Sequence, residues 1–87
     1  MAEVLVTMKI MPKSAGEDMD ALEARIGKID NGKLNKVKKE PIAFGLVALI
    51  ASYVIEDKEG GTEKLEAALN TIEEIGNIEI LEVTRLL

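Results

Sequence analysis

The order in which the hydrophobic period changes along this 87-residue chain restricts its fold more than any other feature. From Glu3 to Met11, Val4, Val6, Met8 and Ile10 alternate with Glu3, Thr7 and Lys9, with Leu5 and Met11 as apolar exceptions. A period of two predicts a strand with one well-buried face. Pro12 and "KSAGED" close it. In "DMDALEARIGKI", Met19, Leu22, Ile26 and Ile29 recur at three- and four-residue steps, which predicts an amphipathic helix. Asp18 or Asp20 can cap it and favour the positive end of its dipole. "DNG" at Asp30–Gly32 is expected to end it.

"KLNKVKKEPIAFG" carries lysines at 33, 36, 38 and 39 around only Leu34 and Val37. It reads as an edge strand, where lysines discourage pairing with another chain. "LVALIASYVIED" is apolar on both faces; its β-branched residues and flanking turn signals predict a central strand. After "KEGG", Leu65, Leu69, Ile72 and Ile75 form one helical stripe in "TEKLEAALNTIEEI", with Thr62 as the candidate N-cap and Gly76–Asn77 as the stop. In "IEILEVTRLL", Ile78 and Ile80 are in phase and the pattern then slips to Leu81 and Val83, as a bulge or burial of both faces would produce.

The resulting order is β-α-β-β-α-β. Its simplest packing is an α+β, ferredoxin-like sandwich: a four-stranded antiparallel sheet in the order 4-1-3-2 with both helices on one face, spanning residues 1–87 as a single domain. The two most apolar strands, the first and third, then fall in the centre, and the lysine-rich strand falls on an edge. The topology also sets Phe44, in the hairpin between the second and third strands, and the C-terminal "TRLL" at opposite ends of the sheet. At roughly 3.3 Å per residue they are roughly 25–30 Å apart, so a partner touching both must be large.

Composition narrows the chemistry. There is no cysteine and no histidine, which removes disulfides, thiolate catalysis, Cys-based zinc sites, the commonest general base and the commonest transition-metal ligand. A net charge of −5 disfavours general affinity for nucleic acid. These features point to a binding module rather than an enzyme, with no cofactor. No apolar run reaches the roughly 18 residues needed to span a bilayer. The N-terminus has no basic n-region and leads directly into a strand, so a cytoplasmic protein is expected.

Several stretches carry two readings. Phe44, between Ala43 and Gly45, either folds back over the hairpin or stands exposed as an aromatic interface anchor. The lysines either guard an edge or attract an acidic partner; base stacking on the sheet would need aromatics that the central strands lack except for Tyr53. "EDKEGGTEKLE" superficially resembles a phosphate-cradling loop, but it lacks the P-loop ending and reads as a turn with a helix cap. Glu56, Asp57 and Glu59 lack EF-hand spacing and read as a solvated turn. Arg85-Leu86-Leu87 either frays, closes the sheet edge or meets a partner.

Taken together, "VLVTMKIMPKS", "EPIAFGLVAL" and "VIEDKEGGTEKLEAAL" resemble the translation elongation factor 1-beta family in its archaeal form. They are also similar to the C-terminal exchange domain of the eukaryotic factor, whose matching hairpin carries a Pro, an aromatic and a Gly. The resemblance runs from Val4 to the end. It implies a guanine-nucleotide exchange factor for the GTPase elongation factor 1-alpha, which disturbs magnesium and phosphate contacts and speeds GDP release without covalent chemistry. Exchange then rests on favouring a GTPase conformation that holds GDP poorly, and the coupling is reciprocal. By the same resemblance Phe44, with Pro41, Ile42 and Gly45, would contact one GTPase domain, and the tail Arg85, Leu86 and Leu87 another. The family's lysine just before the last residue has no direct counterpart. Leu86 stands there and Arg85 one position earlier, and in a strand a one-residue shift turns the side chain to the other face. A different class with the same topology is a small metabolite-binding regulatory domain that dimerises through its sheet.

Overall fold

The computed structural model describes residues 2–86; Leu87, the last of the expected tail contacts, lies outside the described residues. The elements follow the expected order: β1 (Glu3–Pro12), α1 (Met19–Ile26), β2 (Lys33–Pro41), a short 3-10 turn (Ala43–Gly45), β3 (Val47–Glu56), α2 (Gly61–Leu69) and β4 (Ile75–Leu86). The four strands form one antiparallel sheet in the order β2-β3-β1-β4, the ferredoxin-like arrangement.

Strand alternation decides the core. Val4, Val6, Met8 and Ile10 of β1 stand opposite Ile55, Tyr53, Ala51 and Leu49 of β3, and all eight are buried on one face. Leu22 and Ile26 of α1 and Leu65 and Leu69 of α2 close over them, with Ile29, Ile72, Ile78 and Ile80 packed around the rim. Tyr53 is the largest side chain in this core, and its hydroxyl donates to the Ile26 carbonyl at 2.7 Å, which satisfies the C-terminal end of α1. Burial without a nearby positive charge pushes the Tyr53 phenol well above its ordinary pKa.

Both helices are shorter than their apolar stripes suggested. Asp18 is the α1 cap, accepting from the Asp20 and Ala21 amides at 3.0 and 3.2 Å, but the helix stops at Gly27, before "DNG". The α2 N-cap is Gly60 in a left-handed conformation (φ 78°), not Thr62, which lies in the first turn. That helix ends at Asn70 rather than at Gly76–Asn77. The Thr71 hydroxyl donates to the Ala68 carbonyl at 2.6 Å, and the Ile72 amide donates to Leu69 at 3.0 Å, tightening the chain into turns. Ile75 therefore opens β4. Gly76 serves the sheet: a Cβ there would meet the Pro12 carbonyl oxygen at 3.0 Å and the Lys13 Cα at 3.1 Å, where a register shift brings β4 against the end of β1. Sequence periodicity registers burial, and residues of a turn packed under a helix stay in phase with it after the helical hydrogen bonds have ended.

Candidate functional site

The β2–β3 connection is built to turn the chain within a few residues. Pro41, the last residue of β2, pairs with Val47, the first of β3. Proline has no amide to donate, which an edge strand tolerates. The Ile42 amide donates to the Leu46 carbonyl at 2.8 Å and the Leu46 amide returns to Ala43 at 3.3 Å. Between them Phe44 (φ 63°, ψ 31°) and Gly45 (φ 76°) both lie in the left-handed region. Gly45 enters it freely, whereas a phenylalanine there costs about 1–2 kcal/mol. The ring gains nothing from its own fold in return, because Phe44 is 95% exposed. The alternative of a ring folded back over the hairpin is thereby overturned. Pro41 and Gly45 are exposed beside it and Ile42 is half-buried.

At the other end of the sheet, Arg85 stands opposite Val4 and Leu86 opposite Glu3. Val4 belongs to the helix-covered face, so Arg85 projects on that side and Leu86 on the open side. Arg85 Nη2 lies 3.3 Å from Asp57 Oδ2, while the Asp57 backbone amide is held by the Ala2 carbonyl at 3.0 Å. The guanidinium remains largely exposed. Phe44, which follows the Ile10–Leu49 end of the ladder, and Arg85, at the Val4 end, therefore occupy opposite ends of the sheet.

The other stretches resolve individually. Asp57 is engaged by Arg85 and Glu56 by Lys58 at 3.9 Å, so these two acids serve ion pairs. In "EGG" the Gly61 amide donates to Lys58 at 3.2 Å and the Lys64 amide to Gly60 at 3.0 Å, which makes the loop a turn and a helix cap. Lys39 separates from the other lysines. It sits opposite Leu49 on the helix side, where its Nζ lies 2.7 Å from Asp20 Oδ1 and 3.7 Å from Glu23 Oε2. The Asp20 hydrogen bond, then its charge, pushes the Lys39 ammonium pKa up, and the same contact holds the Asp20 carboxyl below its ordinary range. Tyr53 points into the core, so neither central strand offers an aromatic to the open face, and no base-stacking platform exists there. The apolar residues Leu81 and Val83 of β4 are 48% and 52% exposed, and the slip in phase after Ile80 is their only signal in the sequence.

Residues 5–86, a span that includes both the Phe44 hairpin and Arg85–Leu86, match the model of the EF-1 guanine nucleotide exchange domain. The chain belongs to that family. Among its relatives, "Elongation factor 1-beta" of Methanothermobacter thermautotrophicus is 47% identical, with 100% of both chains covered. The protein of the same name from Methanobrevibacter smithii is 44% identical over 100% of both, and that of Halobacterium salinarum 35% over 99% of this chain and 100% of its own. Among solved structures, the C-terminal domain of the MgtC protein from Mycobacterium tuberculosis aligns with a TM-score of 0.56 at 13% identity, covering 97% of this chain and 87% of its own. That likeness concerns the fold alone. Among the described residues, no helix of this exchange-domain family member is long and apolar enough to cross a membrane.

Proposed function

We propose that this chain, acting as a single exchange domain over residues 1–87, promotes replacement of GDP by GTP on elongation factor 1-alpha during translation elongation in the cytoplasm. It works by binding and requires neither covalent catalysis, a cofactor nor nucleic acid. Membership of the exchange-domain family supports the activity. The observation that carries the mechanism is Phe44, fully exposed on a tip that two hydrogen bonds already hold in shape. Burying such a ring in a partner yields about 1.5–3 kcal/mol. The preset turn lowers the ordering cost of contact. Pro41, Ile42 and Gly45 shape that tip.

The second contact is the end of β4. Arg85 is held by one exposed carboxylate, an interaction worth about 0–1 kcal/mol, and it is released readily when a more strongly anionic site is offered. Leu86, on the opposite face, and Leu87 extend the apolar end of the chain. Two contacts at opposite ends of a sheet suit a GTPase that presents separate domains, and spreading those domains is how contact at one end loosens nucleotide at the other. Linkage requires that bound GDP weaken binding of this protein by the same factor.

Release of a fluorescent GDP analogue from an archaeal elongation factor 1-alpha tests the proposal. Release accelerates with added protein and saturates. No acceleration at saturating protein refutes it.

A further inference from the structure

The connection from α1 to β2 holds a chemically reactive pair that the exchange reading does not use. The chain has four asparagines, followed by Gly32, Lys36, Thr71 and Ile78 respectively, so Asn31 alone precedes a glycine. An asparagine carboxamide can be attacked by the backbone nitrogen of the next residue, because the ring that closes has five members and both reacting groups are already tethered. A following glycine leaves that nitrogen unshielded and its backbone free to rotate.

The fold separates the four sites. The Thr71 amide, which follows Asn70, donates to the Ala68 carbonyl at 3.2 Å. Ile78, after Asn77, and Lys36, after Asn35, are paired in the sheet with Ile10 and Ser52. Gly32 lies just before the first β2–β3 pair, Lys33 with Val54. Among the described residues neither the Gly32 amide nor the Asn31 carboxamide makes a hydrogen bond within the chain. Asn31 is exposed. Both residues line a surface cavity of about 440 Å³ with Lys33, Lys58 and Lys64, where water and hydroxide reach them.

Packing holds the glycine in place. Its φ is not positive, so the backbone does not ask for it. A Cβ there would meet Ile55 Cγ2 at 2.7 Å, with Leu65 Cδ1 and Tyr53 Cβ at 3.5 Å. The core that excludes any larger residue at position 32 thus keeps the reactive pair in the chain.

We infer that Asn31 is a modification site, at which the folded chain converts by itself to aspartate and isoaspartate. The Gly32 nitrogen gives its proton to base and attacks Cγ of Asn31. The new C–N bond forms, the Cγ–Nδ2 bond breaks, and Nδ2 takes a proton and leaves as ammonia. Water then opens the cyclic imide at either carbonyl. One opening gives aspartate with the main chain unchanged. The other gives isoaspartate, which adds one methylene to the main chain directly before β2 and displaces Gly32 from its seat against Ile55.

Peptide mapping of the full chain, aged at mildly alkaline pH, tests this. Trypsin isolates Asn31 in residues 29–33 and Asn35 in residues 34–36, and leaves Asn70 and Asn77 in residues 65–85. Position 31 exchanges NH2 for OH at a rate proportional to hydroxide, while the other three asparagines stay intact. The native rate lies within about tenfold of that in guanidinium chloride, as expected of a segment whose local opening is nearly free. Asn31→Gln, which would have to close a six-membered ring, stays unmodified over the same period. Freshly made Asn31→Asp melts within about 1 °C of the parent, whereas the isoaspartate fraction separated from aged protein melts about 4–8 °C lower. Native protein that keeps Asn31 while the unfolded chain loses it overturns the inference, as does loss spread evenly over the four asparagines. None of these readings involves the GTPase, so they fail or succeed independently of the exchange activity.

Discussion

Phe44 and Tyr53 are the chain's two aromatic residues, and they sit on the same β2–β3 unit in opposite surroundings. Tyr53 has ordinary strand geometry, is completely buried, and uses its hydroxyl to hold the last turn of α1. Phe44 has a left-handed backbone and projects almost entirely into solvent. One ring supports the fold at a position where burial and a hydrogen bond act together. The other loads about 1–2 kcal/mol of backbone strain onto the fold and receives no contact from it. A costly, exposed and pre-shaped aromatic is explained by a surface outside the chain, which is why the hairpin tip is the better supported of the two proposed contacts.

The sharpest way to break this comparison is Phe44→Ala. Loss of an interface anchor costs at least about 2 kcal/mol, so exchange at sub-saturating protein falls about 30-fold or more while the melting temperature stays within about 1 °C. A drop of several degrees would instead make Phe44 a core residue and erase the contrast.

Tyr53→Phe probes the other side. Removing the hydroxyl leaves the Ile26 carbonyl without its donor and costs about 1–2 kcal/mol, or about 4–8 °C of melting temperature per kcal/mol, with exchange unchanged in the folded variant. The pH response sharpens it further. The folded phenol's pKa is raised by burial, so its contribution is complete below about pH 10, where an exposed tyrosine ionises, and is lost as pH rises above that. Urea denaturation at pH 7 and near pH 11 should show a steep alkaline loss in the parent that Tyr53→Phe flattens.

Phe44→Gly separates strain from contact. Glycine accepts the left-handed backbone, so the variant is unchanged to about 1 kcal/mol more stable although its exchange activity falls as in Phe44→Ala. The smallest effect on stability is expected from Arg85→Ala, within about 0.5 kcal/mol, because its ion pair with Asp57 is largely exposed. Its exchange rate at saturation should fall more than its affinity for the GTPase; equal rate and affinity in mutant and parent would remove Arg85 from the second contact.

The element order, the central placement of β1 and β3, and the position of the hairpin opposite the tail follow from periodicity and topology rules alone. Strand alternation and the right-handed crossover leave few other ways to bury these apolar faces. Helix ends were less legible, because Ile29 and Ile72 keep a helical phase while lying in turns that pack against the core. Family motifs pointed to Phe44, but its exposure was not readable: one sequence supports a ring folded inward or outward, and only the surrounding packing chooses. The same limit applies to the charges. Lys33, Lys36, Lys38 and Lys39 look like one group in the chain, yet Lys39 turns to α1 and the other three share the open face. Glu79 and Glu82 look opposed and are aligned. By itself the sequence determined which surfaces must be buried, since hydrophobic period is a local property. Only the tertiary structure decided which charged residues stand together, because one extra residue in an edge strand reverses every face beyond it, and such bulges are fixed by pairing with the neighbouring strand rather than by the local hydrophobic pattern.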